Sequence, residues 1–145
     1  MPEAPIEPTA PVPADQPDWI PVCAAADLAD GGKGVRFPVL TPTGPHIGFV
    51  VRHAGRVHGW LNQCAHVPVE LDWMEGQFFD DSRVYLICAT HGALYEPDSG
   101  RCAGGPCRGG RLRPIRTAER DGQVWWQPDG FLRAPADGTG AARPP

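Results

Sequence analysis

The sequence predicts an all-β fold, and three features of its composition indicate this class. Glycine and proline, 18 of each in 145 residues, make up about a quarter of the chain and disfavour long helices. The apolar residues come in short runs separated by Gly, Pro, Asp and Asn, a pattern typical of strands joined by tight turns. A hydrophobic fraction of 41% suffices for one modest core, so we expect a single domain rather than a large multidomain enzyme.

The two ends of the chain differ from its middle. Residues 1–17 are rich in Pro and Ala and offer no periodic apolar face, so they are predicted to form a disordered arm. Residues 134–145 have the same character, and we expect a flexible tail over residues 129–145. The folded domain is therefore expected to occupy residues 18–128.

The apolar runs predict six strands, in chain order residues 34–40, 47–52, 57–62, 83–87, 115–119 and 123–127. A hairpin turn at residues 53–56 is predicted to join the second strand to the third. The last two strands are predicted to form a hairpin across residues 120–122, where the Asp-Gly pair supplies the positive φ that a tight turn requires. Helical turns are expected only at residues 24–29 and around residues 70–75.

The charge pattern narrows the classes of partner. A net charge of −4 is too acidic for a general nucleic-acid binder. No segment approaches the ~20 uninterrupted apolar residues of a membrane-spanning helix, and the N-terminus lacks a basic segment followed by an apolar one. We therefore expect a cytoplasmic protein that binds neither nucleic acid nor a membrane.

Two short motifs carry the chemistry of the sequence. The segment Cys64-Ala65-His66 is followed, after 21 residues, by Cys88-Ala89-Thr90-His91, and each motif comes directly after a predicted strand. Two thiolates and two imidazoles suit either zinc or an iron–sulfur cluster. A zinc site of this composition usually pairs Cys with Cys and His with His. Here each loop supplies one of each, which favours a two-iron cluster with both thiolates on one iron.

The two motifs, followed by Tyr95-Glu96-Pro97-Asp98-Ser99-Gly100 and Gly104-Gly105-Pro106, resemble those of Rieske [2Fe–2S] proteins. The resemblance covers roughly residues 18–128. It implies an antiparallel β-sandwich base that carries a small cluster-binding subdomain at about residues 62–109. It also implies one [2Fe–2S] cluster per chain, held by two cysteines on the inner iron and two histidines on the outer iron: Cys64, Cys88, His66 and His91.

The sequence departs from the high-potential members that it resembles. Their two cluster loops are joined by a disulfide, but the corresponding positions here are Val69 and Thr90. Ala93 replaces a serine that donates a hydrogen bond to a bridging sulfide, whereas Tyr95 is kept where a tyrosine can donate to a cysteine sulfur. Fewer donors leave more electron density on the sulfurs, so we expect a reduction potential in the lower half of the range of roughly −150 to +300 mV. A half-buried strand aromatic is the alternative interpretation of Tyr95.

The remaining cysteines and histidines are not at ligand positions of the family. Cys102 and Cys107 bracket Ala-Gly-Gly-Pro in the loop that, by the resemblance, covers the cluster. We expect them to be two free thiols rather than a disulfide, because the cytoplasm is reducing. Cys23 is expected in the core. Three histidines, which we take as surface or packing residues without partners, are His46, His53 and His58.

Two further segments have open interpretations. The spacer between the motifs, residues 67–87, is expected to be a surface insertion with Trp73 and Phe78 as its own small core, or else a lid or docking surface. Four arginines are expected around the covering loop, either as a docking site for an acidic redox partner or as a solvated face: Arg101, Arg108, Arg111 and Arg113.

The resemblance implies a ferredoxin-type protein that passes single electrons from a reductase to an oxygenase or another oxidoreductase. Its partners are then redox proteins, with no evident small-molecule substrate. We do not expect a terminal oxygenase, because only 34 residues follow Arg111, too few for a mononuclear iron domain. We expect an electron carrier or an oxidoreductase component rather than an enzyme on its own. Two alternatives are a small accessory subunit of a larger enzyme such as a nitrite reductase, and a redox sensor that uses the pair Cys102 and Cys107.

Overall fold

The computed structural model describes residues 19–65, 69–72, 74–90 and 92–135. Within these residues it contains one short 3-10 helix, Ala25–Asp27, and nine strands: β1 Ile20–Ala24, β2 Val35–Thr41, β3 Gly44–His53, β4 Arg56–Leu61, β5 Leu86–Ile87, β6 Leu94–Tyr95, β7 Cys102–Gly104, β8 Pro114–Arg120 and β9 Gln123–Gln127. None of the helical segments in this part of the chain could cross a membrane. The predicted arm at residues 1–17 lies outside the described residues.

Six strands form the base of the molecule. They pair antiparallel in the order β1-β9-β8-β4-β3-β2. Strand β8 joins the pair β1-β9 to the strands β4-β3-β2. Its residues Pro114 and Ile115 pair with β4, whereas Arg116–Arg120 pair with β9. The edge strands β1 and β2 also approach each other, so the sheet folds over its own core. The predicted all-β, antiparallel fold is therefore confirmed.

The base follows the two-residue period of half-buried strands. In β2, Phe37, Val39 and Thr41 are buried while the residues between them are only partly covered. The turn between β3 and β4 has positive φ at Ala54 and Gly55, and the turn between β8 and β9 has positive φ at Asp121 and Gly122. Both predicted hairpins are thus confirmed, with the backbone that two-residue turns require.

The second sheet is small and antiparallel, in the order β5-β6-β7. Its strands have only two or three residues, and the segments between them form the loops of the predicted cluster-binding subdomain. Its core continues into the base: the Phe78 ring stacks on the Phe49 ring of β3 with 3.7 Å between centroids. The expectation that Phe78 belongs to a separate small core was therefore wrong, and Trp73 lies outside the described residues.

Two predicted elements of the spacer differ in the structure. The strand expected at residues 83–87 contains only Leu86–Ile87, because Arg83 has a φ of 63° in a turn whose first carbonyl, that of Asp80, accepts the Arg83 N–H. No helix forms in the described part of residues 70–75. The chain turns instead toward Gly76, whose N–H donates to the buried Asp72 carboxylate.

The packed chain extends beyond the expected boundary at residue 128. Leu132 is buried in the core of the base, and Leu40 and Arg133 exchange backbone hydrogen bonds of 2.7 and 2.8 Å. The Asp129 carboxylate accepts from the backbone N–H groups of Phe131 and Leu132 and so forms the turn that makes this return possible. Residues 129–135 thus close one edge of the base, while residues 136–145 lie outside the described residues.

Candidate metal centre

The loop predicted to carry the ligands Cys64 and His66, called the first ligand loop below, begins where β4 ends. The Cys64 N–H donates to the Val69 carbonyl at 2.8 Å and closes the loop. The start of the loop is fixed on the base because the Asn62 N–H donates to the Ile47 carbonyl, also at 2.8 Å. The Cys64 side chain is buried inside the protein. His66, the imidazole predicted on this loop, lies outside the described residues.

The second ligand loop joins β5 to β6. The Cys88 N–H donates to the Ala93 carbonyl, and the Gly92 N–H donates back to the Cys88 carbonyl, both at 2.8 Å. Gly92 has a φ of 77°, a conformation that glycine adopts without steric cost. Cys88 is fully buried, and neither it nor Cys64 is in a disulfide. His91 belongs to this loop and lies outside the described residues.

A third loop, residues 104–110, packs on both ligand loops. A Cβ on Gly105 would lie 2.9 Å from the Gly92 carbonyl oxygen, and one on Gly110 would lie 3.0 Å from the Ala65 Cβ. Only residues without a side chain allow such close approaches. The Gly-Pro segment thus covers the ends of the two cysteine loops, as the resemblance implies.

Tyr95 links the second sheet to the first ligand loop. Its hydroxyl oxygen accepts the Ala65 N–H at 2.9 Å and lies 3.1 Å from the Cys64 Sγ. Either atom of the Tyr95–Cys64 contact can be the donor, and a Cys64 thiolate, which has no proton, would accept from the hydroxyl. Burial, together with the contact to Cys64, raises the pKa of the Tyr95 phenol, so the hydroxyl remains a donor at physiological pH. The hydroxyl therefore lies at the place expected of a donor to a cysteine sulfur, and the direction of the bond stays a prediction.

A buried polar network, which the sequence did not predict, holds the spacer against the base. The Asp72 carboxylate, whose side chain is fully buried, accepts from the Asn62 amide at 2.9 Å and pairs with Arg36 of β2 at 3.2 Å. The Asn62 side-chain oxygen accepts the Leu71 N–H. Arg36 also binds Glu70 at 3.1 Å. The sequence feature that could have indicated this network is Asp72 itself, an acidic residue between two apolar residues of the spacer.

The structure corrects the expectation for Cys102 and Cys107, which form a disulfide. Their Cα atoms are 5.6 Å apart, a separation that is typical of disulfides. The Gly-Gly-Pro turn between them brings β7 and the third loop together. Cys107 is buried beside Cys64 and Tyr95, and Cys102 packs against the same cluster of side chains.

The four arginines do not all surround the third loop. Arg101 and Arg111 face each other through a backbone bridge, and Arg108 is exposed within the loop. These three make no ion pair with the part of the chain that the structure describes. Arg113 lies elsewhere on the base, 4.1 Å above the Phe131 ring and 3.6 Å from the Asp129 carboxylate.

The remaining histidines and Cys23 are surface or packing residues as expected, but two of the histidines have partners. His46 has a partner, since its Nε2 lies 3.0 Å from the Thr43 hydroxyl. His53 stacks on the Phe79 ring. His58 is half-buried, and burial lowers its pKa. Cys23 packs against the core of the base, and burial raises the pKa of its thiol to about 11, so this thiol is not poised for reaction.

The residues that the structure describes fit the thiolate half of the predicted donor set. Cys64 and Cys88 lie in one apolar cluster with Ala93 and Tyr95. Among the described residues no group of three or more metal-binding side chains occurs. A set of four donors requires the two imidazoles at positions 66 and 91. The buried thiols, the hydroxyl beside one of them and the glycine-lined approach of the third loop suit an iron–sulfur cluster.

Comparison with known proteins identifies the domain. A family model described as Rieske [2Fe-2S] domain matches residues 18–119. A curated relative, the ferredoxin component of the alkene monooxygenase system of Xanthobacter autotrophicus, is 34% identical over 87 residues. The alignment spans 60% of this chain and 64% of the relative, which is less than two thirds of its length.

Solved structures have the same fold. The ferredoxin of carbazole 1,9a-dioxygenase from Nocardioides aromaticivorans superposes with a TM-score of 0.60 at 18% identity, over 77% of this chain and 98% of that chain. A chain from the complex of reduced oxygenase and oxidised ferredoxin in carbazole 1,9a-dioxygenase gives a TM-score of 0.58 at 21% identity. That match covers 76% of this chain and 93% of the other. At these identities the likeness concerns the fold.

Proposed function

Because the chain belongs to the Rieske [2Fe–2S] domain family, we propose that it is the ferredoxin-type electron carrier of an oxygenase system. It accepts single electrons from a reductase and delivers them to an oxygenase. The observation that carries this proposal is the 34% identity to the ferredoxin component of a monooxygenase system, in a chain whose family match spans residues 18–119. The proposed location of this exchange is the cytoplasm.

Four side chains would hold the cluster: Cys64 and Cys88 on the inner iron, His66 and His91 on the outer iron. When bound, the cluster supplies one-electron transfer, at a higher potential than an all-cysteine cluster because two neutral imidazoles replace two thiolates. The burial of Cys64 and Cys88 supports this assignment, as does the closure of each loop by backbone hydrogen bonds that begin at the cysteine.

The other residues of the site control the surroundings of the two sulfurs. Tyr95 would donate a hydrogen bond to the Cys64 thiolate, and its oxygen orients the Ala65 backbone by accepting the Ala65 N–H. Leu71, Leu86 and Leu112, all fully buried, exclude water from the same apolar cluster. A dry environment with few donors favours the neutral oxidised form, so it keeps the reduction potential moderate.

The experiment that tests the site is a metal analysis of protein purified without oxygen, combined with an EPR spectrum of the reduced form. We expect about two irons and two sulfides per chain and a spectrum that differs from those of all-cysteine clusters. One zinc per chain with no sulfide would overturn the assignment.

The role as carrier is tested separately by rapid mixing. Protein reduced with dithionite is mixed with an oxygenase component from the same source, and reoxidation is followed by visible absorbance. We expect one electron to leave each chain, with a rate that depends on the oxygenase concentration. A stable complex with the oxygenase that does not reoxidise the protein would contradict the proposal and favour an accessory subunit.

A further inference from the structure

The Cys102–Cys107 disulfide closes the third loop at the point where this loop packs on the ligand loops. Gly105 lies in contact with the second ligand loop at Gly92, and Gly110 lies in contact with the first at Ala65. Cys107 itself is buried in the cluster of side chains that contains both predicted thiolate ligands. The disulfide therefore connects β7 directly to the cover of the site.

Few other interactions hold the described third loop in place. Gly104 pairs with Leu94 in the β6–β7 ladder, and two further backbone hydrogen bonds run from the Cys102 N–H to the Gly110 carbonyl and from the Gly110 N–H to the Cys107 carbonyl. Four of its residues are glycines, which are free to take many backbone conformations once a constraint is removed: Gly104, Gly105, Gly109 and Gly110. The covalent bond is thus the strongest constraint on the loop.

The short sequence separation of the two cysteines indicates that this disulfide adds little to the free energy of unfolding of the whole protein. Its cysteines are five residues apart in sequence, and a short ring restricts the unfolded chain less than a long one does. In reducing compartments, moreover, protein disulfides are usually transient and serve in catalysis or redox sensing. The short ring favours a disulfide that restrains only this loop, and a reducing compartment favours one that forms and breaks reversibly.

We propose that Cys102 and Cys107 are a thiol-exchange site that locks and releases the cover of the metal centre. The chemical class of its reagent is a dithiol, either a small molecule or a dithiol protein. The restraint on the loop follows from its packing, whereas the reversibility of the bond rests on the proposed cytoplasmic location and its effect on a cluster rests on the proposed function.

The exchange balances without any further reagent. A thiolate of the dithiol attacks the Sγ of Cys102, the less buried of the two cysteines, and the bond between Cys102 and Cys107 breaks. Cys107 leaves as a thiolate and takes up a proton. The second thiol of the reagent then displaces Cys102, so two electrons and two protons pass to the protein while the dithiol becomes a disulfide.

The same pair does not serve as an electron relay. Disulfide reduction takes two electrons, whereas the cluster of this family carries one. Rieske clusters also have potentials above those of thioredoxin-type and glutaredoxin-type dithiols, so a reduced cluster is a weak reductant for a bond of that kind. The disulfide regulates access to the centre and takes no part in the transfer itself.

The first test counts thiols in the full-length protein by alkylation after denaturation, followed by mass spectrometry. Without reductant we expect three alkylated cysteines, the ones outside the disulfide: Cys23, Cys64 and Cys88. After dithiothreitol we expect five. Five alkylated cysteines without reductant would overturn the proposal. This measurement requires no cluster and is independent of the proposed function.

The second test measures how strongly the disulfide restrains the third loop. Hydrogen exchange at residues 104–110 and loss of visible absorbance to an iron chelator are compared with and without dithiothreitol. We expect the reductant to accelerate both several-fold in the wild type and to leave the double variant Cys102→Ser/Cys107→Ser, which starts at the faster rates, unchanged. Cys23→Ser is the matched control and should behave as the wild type does.

Equal rates in the reduced and oxidised wild type would overturn the lock. A protein without iron would instead refute the proposed function, and hydrogen exchange of the loop would still decide whether the disulfide constrains it.

Discussion

The base and the cluster-binding subdomain are built in different ways. The base consists of strands of five to ten residues that pair with long neighbours and alternate between buried and exposed positions. In the subdomain the strands have two or three residues, and three loops determine its shape. The base is therefore specified by local pattern and backbone pairing, whereas the subdomain depends on individual contacts between loops. Substitutions in the second region should have sharper and more local effects.

The two regions nevertheless share one buried interface, which we call the seam. Phe49 and Trp60 come from the base, and Phe78 and Tyr95 come from the subdomain, yet all four lie in a single buried cluster. Beside this cluster, Arg36 of the base reaches the buried Asp72 of the spacer. Changes at the seam should affect both regions, while changes at the loops should leave the base intact.

The largest expected effect is that of Cys88→Ser, which should abolish cluster binding. Serine is a poor ligand for iron–sulfur clusters in place of a thiolate, and the proposed site has only two thiolates. We expect loss of iron and of visible absorbance. Hydrogen exchange should increase across residues 86–110 while the strands of the base remain protected.

Cys23→Ser serves as the control for this prediction, since Cys23 packs in the base and makes no part of the proposed site. It should retain the full iron content. Wild-type iron content in Cys88→Ser, or equal unfolding of both regions, would contradict the division between base and subdomain.

The next largest effect is a loss of stability expected for a substitution at the seam. Phe78→Ala removes a fully buried ring that stacks on Phe49, and the cavity should lower the free energy of unfolding by about 3–5 kcal/mol. Denaturant unfolding followed by both tryptophan fluorescence and visible absorbance should show both transitions shifted. Phe131→Ala, at a position 38% exposed, should cost under about 1 kcal/mol. A shift of the visible transition alone would indicate that the regions do not share a core.

The sequence predicted most of the base and less of the subdomain. The hairpins around Ala54-Gly55 and Asp121-Gly122 were predictable because positive φ and strand alternation are local properties. Strand β1 was missed because its Pro and Ala residues have little strand propensity; only pairing with β9 makes it extended.

For the site, the ligand motifs and Tyr95 were visible as patterns, but two tertiary features were not. The Arg36–Asp72 pair joins residues 36 positions apart, and no local signal indicates such a partner. The Cys102–Cys107 disulfide was judged from the compartment, whereas the glycines of the turn determine whether the two sulfurs meet.

A smaller effect is expected for Tyr95→Phe, which removes the hydroxyl beside Cys64. A hydrogen bond to the sulfur stabilises the reduced cluster more than the oxidised one, so its loss should lower the midpoint potential. One bond of about 0.5–1.5 kcal/mol corresponds to roughly 20–60 mV for one electron. Redox titration by EPR measures the shift. Tyr85→Phe is the control, and an unchanged potential in Tyr95→Phe would show that the hydroxyl does not tune the cluster.

The exposed arginines around the third loop should affect partner binding by a few-fold. Replacing Arg101, Arg108 and Arg111 with Gln should slow electron transfer to the oxygenase and weaken its dependence on salt, if the partner surface is acidic. Arg116→Gln, an exposed arginine on the base, should leave the rate unchanged. Rates that match the wild type at all salt concentrations would place the docking surface elsewhere.

The smallest effect concerns the base, at His58. Burial lowers the pKa of this imidazole in the folded protein below its ordinary value of 6.5, while Asp98 opposes the shift and His53 and Arg56 add to it. Between the lowered pKa of the folded protein and about pH 6.5, the unfolded chain therefore binds a proton at this position that the folded chain does not.

Stability should consequently fall as the pH decreases through 6.5 and should level off below the folded pKa. In His58→Gln this part of the pH dependence of denaturant unfolding should disappear, whereas His46→Gln, near the start of β3, controls for the loss of an imidazole. His58 lies on β4, which leads directly into the first ligand loop. If the base and the subdomain are independent, the cluster absorbance should nevertheless stay constant over the same pH range. A parallel change in absorbance that His58→Gln abolishes would show that the two regions are coupled through β4, and the separation between them would then hold for folding but not for function.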